Sequence, residues 1–134
     1  MSAVVVGYVP KPEGDAALQE AIAEARRRRV RLIVVSSHRG GRDFTAEDAA
    51  ESEAQLAKVA KMLENSDLEH EIRPLVRGQD PADDLIVVAE ESDAELIVIG
   101  LRRRSPIGKL ILGSNAQRVL LDSACPVLAV KSEA

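Results

Sequence analysis

ELIVIGLRRRSPIGKLILGS, from Glu95 to Ser114, is the stretch that decides the fold. Leu96-Ile97-Val98-Ile99 is a short, wholly apolar run that stops at Gly100. A run of that kind reads as a strand buried on both faces. After it come Arg102, Arg103 and Arg104, then Pro106, Gly108, and the pair Gly113-Ser114 opening a helix. A strand, a glycine loop and a helix N-terminus together gather free backbone N–H groups. With positive side chains nearby, the natural occupant is a phosphate. The stretch therefore points to nucleotide binding.

Outward from this stretch, strand and helix patterns alternate along the chain. Ala3 to Tyr8 reads as a first strand, stopped by Pro10 and Pro12. Asp15 to Arg29 reads as a helix with Leu18, Ala21, Ile22 and Ala25 on one face. Val30 to Val35 is a second strand and Ser36 to Phe44 a polar loop. Thr45 to Glu64 is a second helix, with Thr45 and Asp48 spaced for a capping box and Leu56, Val59, Ala60 and Leu63 as its apolar face. His70 to Val76 is a third strand, and Pro74 inside it marks an edge. Asp80 and Pro81 open a third helix whose stripe is Ala82, Leu85, Ile86 and Ala89. Leu96 to Ile99 is the fourth strand. Ser114 is expected to cap a fourth helix, with Gln117 at the capping-box position. Val127 to Val130 is the fifth strand.

Five strands alternating with four helices give a parallel sheet covered on both faces. Ligands in such sheets bind outside the carboxyl ends of the strands, where the strand order reverses. The segments Tyr8 to Gly14 and Gly100 to Gly113 are then the first places to look.

Composition narrows the classes. At 134 residues the chain reads as one domain spanning residues 1–134. A net charge of −4 exerts no pull toward nucleic acid or an anionic membrane. Tyr8 and Phe44 are the whole aromatic inventory, too few for a base-stacking platform on single strands. No nucleic-acid partner and no membrane partner are expected. The lone Cys125 excludes an internal disulfide and fits a reducing compartment. No signal peptide and no run of membrane-span length are read, so the expected location is cytoplasmic.

The residues Ala94 to Gly100 (AELIVIG), Leu110 to Leu120 (LILGSNAQRVL) and Cys125 to Val130 (CPVLAV) give the chain a resemblance to the universal stress proteins that covers essentially its whole length. The resemblance implies an open α/β fold, flavodoxin-like and similar to the adenine nucleotide alpha hydrolases. Its five parallel strands run in the order 3-2-1-4-5, with helices on both faces. It implies a stress-response regulatory module binding an adenine nucleotide, ATP or AMP, at the loop after the fourth strand. It also implies a homodimer, here through Val127, Leu128, Ala129 and Val130, whose exposed edge soluble proteins cover. The physiological protein partner and signal are not given.

Family members that bind ATP carry Gly-x2-Gly-x9-Gly-Ser/Thr after the fourth strand. Gly100, Gly113 and Ser114 match; the second glycine is Arg103. An aspartate that closes the first strand in those binders is Val9 here. The candidate nucleotide residues are Gly7, Tyr8, Val9, Val35, Gly100, Arg102, Arg103, Gly113, Ser114 and Asn115. The base is expected between Gly7 to Val9 and Val35 to Ser37, and an anion against Gly100, Gly113, Ser114 and Asn115. Arg103 either clamps the phosphate or fills the room a glycine would leave. Val9 has no side-chain acceptor, so selectivity for adenine is expected to be poor and affinity modest.

Two further readings stand beside this one. One is a dimeric interaction protein that needs no nucleotide and keeps only the loop's shape. The other is a slow nucleotide hydrolase, for which no general base or metal-holding carboxylate is identified. No catalytic residue and no metal ligand is assigned: His38 and His70 are isolated in sequence. Gly108-Lys109 lacks the glycine and hydroxyl of a Walker loop, since Arg103 and Leu110 stand there. Cys125 reads as a small packing residue, and Asp83-Asp84 as a solvated helix face.

Overall fold

The computed structural model describes residues 2–38, 45–76, 80–101 and 112–132. The elements are β1 (Ala3–Gly7), α1 (Pro12–Arg28), β2 (Arg31–His38), α2 (Ala46–Glu64), β3 (His70–Val76), α3 (Pro81–Glu91), β4 (Ala94–Leu101), α4 (Ser114–Asp122) and β5 (Val127–Lys131). The strands form one parallel sheet in the order β3-β2-β1-β4-β5.

Strand side chains alternate between the two faces, and this divides the core in two. Val4, Val6, Leu32, Val34, Leu96 and Val98 point to one face, where Leu18, Ala21, Leu56 and Leu63 of α1 and α2 cover them. Val5, Ile33, Val35, Ile97 and Ile99 point to the other, under Ala82, Leu85, Val88 and Val119 of α3 and α4. The central register sets Val5 beside both Ile33 and Ile97, so β1 is apolar on both faces because both are covered. Among the described residues β3 pairs only with β2, so it is an edge strand, where a proline belongs.

Most boundaries fall within a residue of the sequence reading, and some differences have a clear physical reason. α1 begins at Pro12, not Asp15. Proline at the first helical position has its φ preset and loses no hydrogen bond, so Pro12 starts the helix as well as ending the strand. β2 runs on to His38, because Ser36 and Ser37 continue the pairing with Pro74 and Leu75. β4 extends from Ala94 to Leu101. The N-cap of α4 is Gly113, which has no side chain with which to cap the helix. Ser114 is its first residue, and the backbone N–H of Gln117 donates to the Gly113 carbonyl. The capping box expected of Ser114 and Gln117 is therefore absent, whereas that of Thr45 and Asp48 forms in full.

No helix among the described residues is long and apolar enough to cross a membrane.

Candidate functional site

β1 lies between β2 and β4: the chain runs from β1 outward to β2 and β3, then crosses back past β1 to β4, with α1 and α3 on opposite faces of the sheet. The carboxyl ends of these strands therefore part, leaving a crevice at the point of reversal. A cleft of about 200 Å³ occupies it. Its floor is the ends of the three strands, with Gly7 closing β1 and Tyr8 and Val9 after it, Val35 and Ser37 on β2, and Ile99 and Gly100 on β4. Pro81, Ala82 and Leu85 of α3 make one wall, and Asn115, Ala116 and Val119 of α4 the other.

The expected residues Gly7, Tyr8, Val9, Val35, Gly100 and Asn115 thus meet in one place. Gly113 and Ser114 stand beside it at the start of α4. Arg102 and Arg103 lie outside the described residues. The α3 wall was not read from the sequence. The available signal was topological: the helix that returns the chain to β4 must cover the sheet face beside β1.

Gly100 on this floor and Gly14 in the first turn of α1 are set by packing. A Cβ on Gly100 would lie 2.1 Å from the carbonyl oxygen of Glu13, and one on Gly14 would lie 1.7 Å from that of Val9. The first turn of α1 therefore presses directly against the ends of β1 and β4. Gly113 differs, because a Cβ there meets no atom within 4 Å among the described residues. It stands at the N-terminal end of α4, where the first N–H groups of the helix have no partner within it.

Tyr8 is buried, and its hydroxyl donates to Asp15 at 3.3 Å. Burial, and then the charge and hydrogen bond of Asp15, push its phenol above the ordinary value. Its backbone N–H donates to the Val35 carbonyl at 2.9 Å, which ties the segment after β1 to β2. Val9 is 43% exposed at the mouth of the cleft and offers only an apolar surface.

α3 and α4 are joined across the cleft wall by Arg118, which bonds Asp80 at 3.3 Å and also Asp83. That linkage involves exposed side chains and is worth little by itself.

The reading of Asp83-Asp84 as a solvated pair is half corrected. Asp83 is partly exposed and faces Arg118, but Asp84 is 0% exposed. It sits one turn before the buried Val88 and points at β2, where the Ser37 hydroxyl donates to its Oδ2. Helical spacing from Val88 was the signal, masked by the expectation that two adjacent acids are solvated. Cys125 is half-buried and packs against the α3 side of the sheet. Among the described residues no group of histidines, cysteines and carboxylates is arranged to hold a metal ion.

The family model that describes the universal stress protein family matches residues 1–131. A universal stress protein of Mycolicibacterium smegmatis is 44% identical over 128 residues, covering 96% of each chain. The structure of a universal stress protein from Archaeoglobus fulgidus superposes with a TM-score of 0.85 at 39% identity, covering 98% of this chain and 99% of that one. A second structure from Archaeoglobus fulgidus, a universal stress protein in complex with dAMP, superposes with a TM-score of 0.79 at 33% identity, covering 98% of both chains.

Proposed function

The chain belongs to the universal stress protein family, and on that premise we propose that it is a stress-response regulatory module binding an adenine nucleotide in the cleft between β2, β1 and β4. The observation that carries this is the meeting of Gly7, Val35, Gly100 and Asn115, from four separate elements, at the point where the strand order reverses. A relative of the same fold was solved with dAMP, which favours a purine nucleotide as the occupant.

The cleft is smaller than the usual ligand pocket of about 300–1,000 Å³. It suits a base and sugar, with the phosphates lying outside it toward α4. There the open approach to Gly113 and the N-terminal N–H groups of the helix accept negative charge. Among the described residues no cationic side chain lines the cleft. We assign compensation for the phosphate charge to Arg102 and Arg103, from the stretch between Gly100 and Gly113, whose guanidinium forks match phosphate oxygens. Among the described residues no carboxylate or histidine lines the cleft, and the reading proposed is one of binding.

Freshly purified protein, denatured and analysed by mass spectrometry, is expected to release an adenine nucleotide, and emptied protein to bind added ATP. Arg103→Gly is expected to weaken ATP binding about tenfold, near the worth of one charge-assisted hydrogen bond. Protein that releases nothing and binds no ATP would leave the nucleotide-independent reading in its place.

A further inference from the structure

Asp84 is the most unusual side chain near the cleft. It is wholly buried, yet it belongs to no ion pair among the described residues. Its Oδ2 accepts the hydrogen bond of the Ser37 hydroxyl, and its Oδ1 has no hydrogen-bond partner there. A buried carboxyl group with so little satisfaction holds its one donor firmly, because releasing it would leave the group bare. Asp84 lies in the first turn of α3, and it accepts the Ser37 hydrogen from there. The proton of Ser37 is therefore committed inward. A hydroxyl that has given its only hydrogen presents lone pairs on its other side. Ser37 lines the cleft, so that other side faces the ligand.

The position of Ser37 decides which part of the ligand it meets. It lies on β2, while Gly100 and Asn115 lie on β4 and α4. β1 stands between, so the two ends are separated by two strand spacings of about 4.8 Å each. With the phosphates at α4, the base reaches β2. Tyr8, the other hydroxyl of the lining, is turned to Asp15.

We propose that Ser37 is a specificity-determining residue that accepts a hydrogen bond from the exocyclic amine of a 6-aminopurine, and that Asp84 is a positioning residue fixing the hydroxyl in its accepting orientation. The inference rests on the nucleotide reading above and deepens it. A 6-oxopurine would bring a carbonyl oxygen against the Ser37 lone pairs, with no proton between them. Adenine selectivity, which Val9 does not supply, thus comes from the opposite side of the cleft.

ATP and inosine triphosphate differ at this edge of the base, so titrating both into the emptied protein isolates the contact. The unaltered protein is expected to bind ATP at least about tenfold more tightly. Ser37→Ala should bring the two affinities together, and Ser37→Thr should keep them apart. Asp84→Asn should also narrow the difference. Its amide can donate to Ser37 and free the hydroxyl to turn toward a carbonyl. A general loosening of the fold would weaken both nucleotides alike. If the unaltered protein binds both equally, or if Ser37→Ala leaves the ratio intact, the Ser37 assignment is overturned while the nucleotide reading stands. If neither is bound, both fall. Should Asp84→Asn fail to fold, the two Ser37 variants still decide the matter.

Discussion

The backbone of Gly100 at the end of β4 passes so close to the carbonyl of Glu13 in α1 that a Cβ would sit 2.1 Å from that oxygen. A side chain there has to push backbone against backbone, in a region where α1 covers the sheet. Gly100→Ala is expected to destabilise the protein by about 2 kcal/mol or more, as overpacking does. Gly113→Ala, placed in open space at φ −70°, should stay within about 0.5 kcal/mol of the parent. Urea denaturation of the two variants checks this. Equal effects would contradict a packing role for Gly100.

Tyr8 is the chain's one tyrosine, and there is no tryptophan to obscure it. Its raised phenol is protonated more readily in the folded state than in the unfolded one. Its contribution to stability is therefore complete below pH 10, the region of the ordinary value, and is lost as pH climbs through the higher folded value. Phenolate absorbance followed against pH should rise above pH 10 in the folded protein and at the ordinary value in denaturant. Coincident curves would show that Tyr8 is neither buried nor engaged by Asp15.

β5 pairs with β4 along one edge, and its apolar residues are only half-buried. Leu128 and Val130 pack toward α1, and Val127 and Ala129 toward the α3 side. We propose that a second copy covers this edge with two-fold symmetry. Sedimentation at micromolar concentration should give a dimer, and Leu128→Lys should shift it toward monomer. A monomeric unaltered protein would contradict the proposal.

The sheet was legible because its determinants are local. Val4 to Val6, Leu32 to Val35 and Leu96 to Ile99 are apolar on both faces, and only a doubly covered strand demands that. The meeting of Gly7, Val35 and Gly100 was legible for a related reason, since topology puts the ends of these strands together. What escaped was anything set by contact across the sequence. The need for glycine at 100 depends on the path of α1, and the burial of Asp84 depends on Ser37, 47 positions earlier. The N-terminus of α4 was read one residue late, since serine and glycine both cap helices and spacing does not choose between them.

The central claim is that a nucleotide lies across the strand ends with its phosphates at α4. Amide chemical shifts on titrating ATP into the ¹⁵N-labelled protein test it most directly. The signals of Gly7, Gly100, Gly113 and Asn115 should move together and saturably, and in Gly113→Val, which fills the approach to α4, the same titration should leave them in place. Movement confined to other residues, no saturable movement, or an unchanged response in Gly113→Val would contradict it.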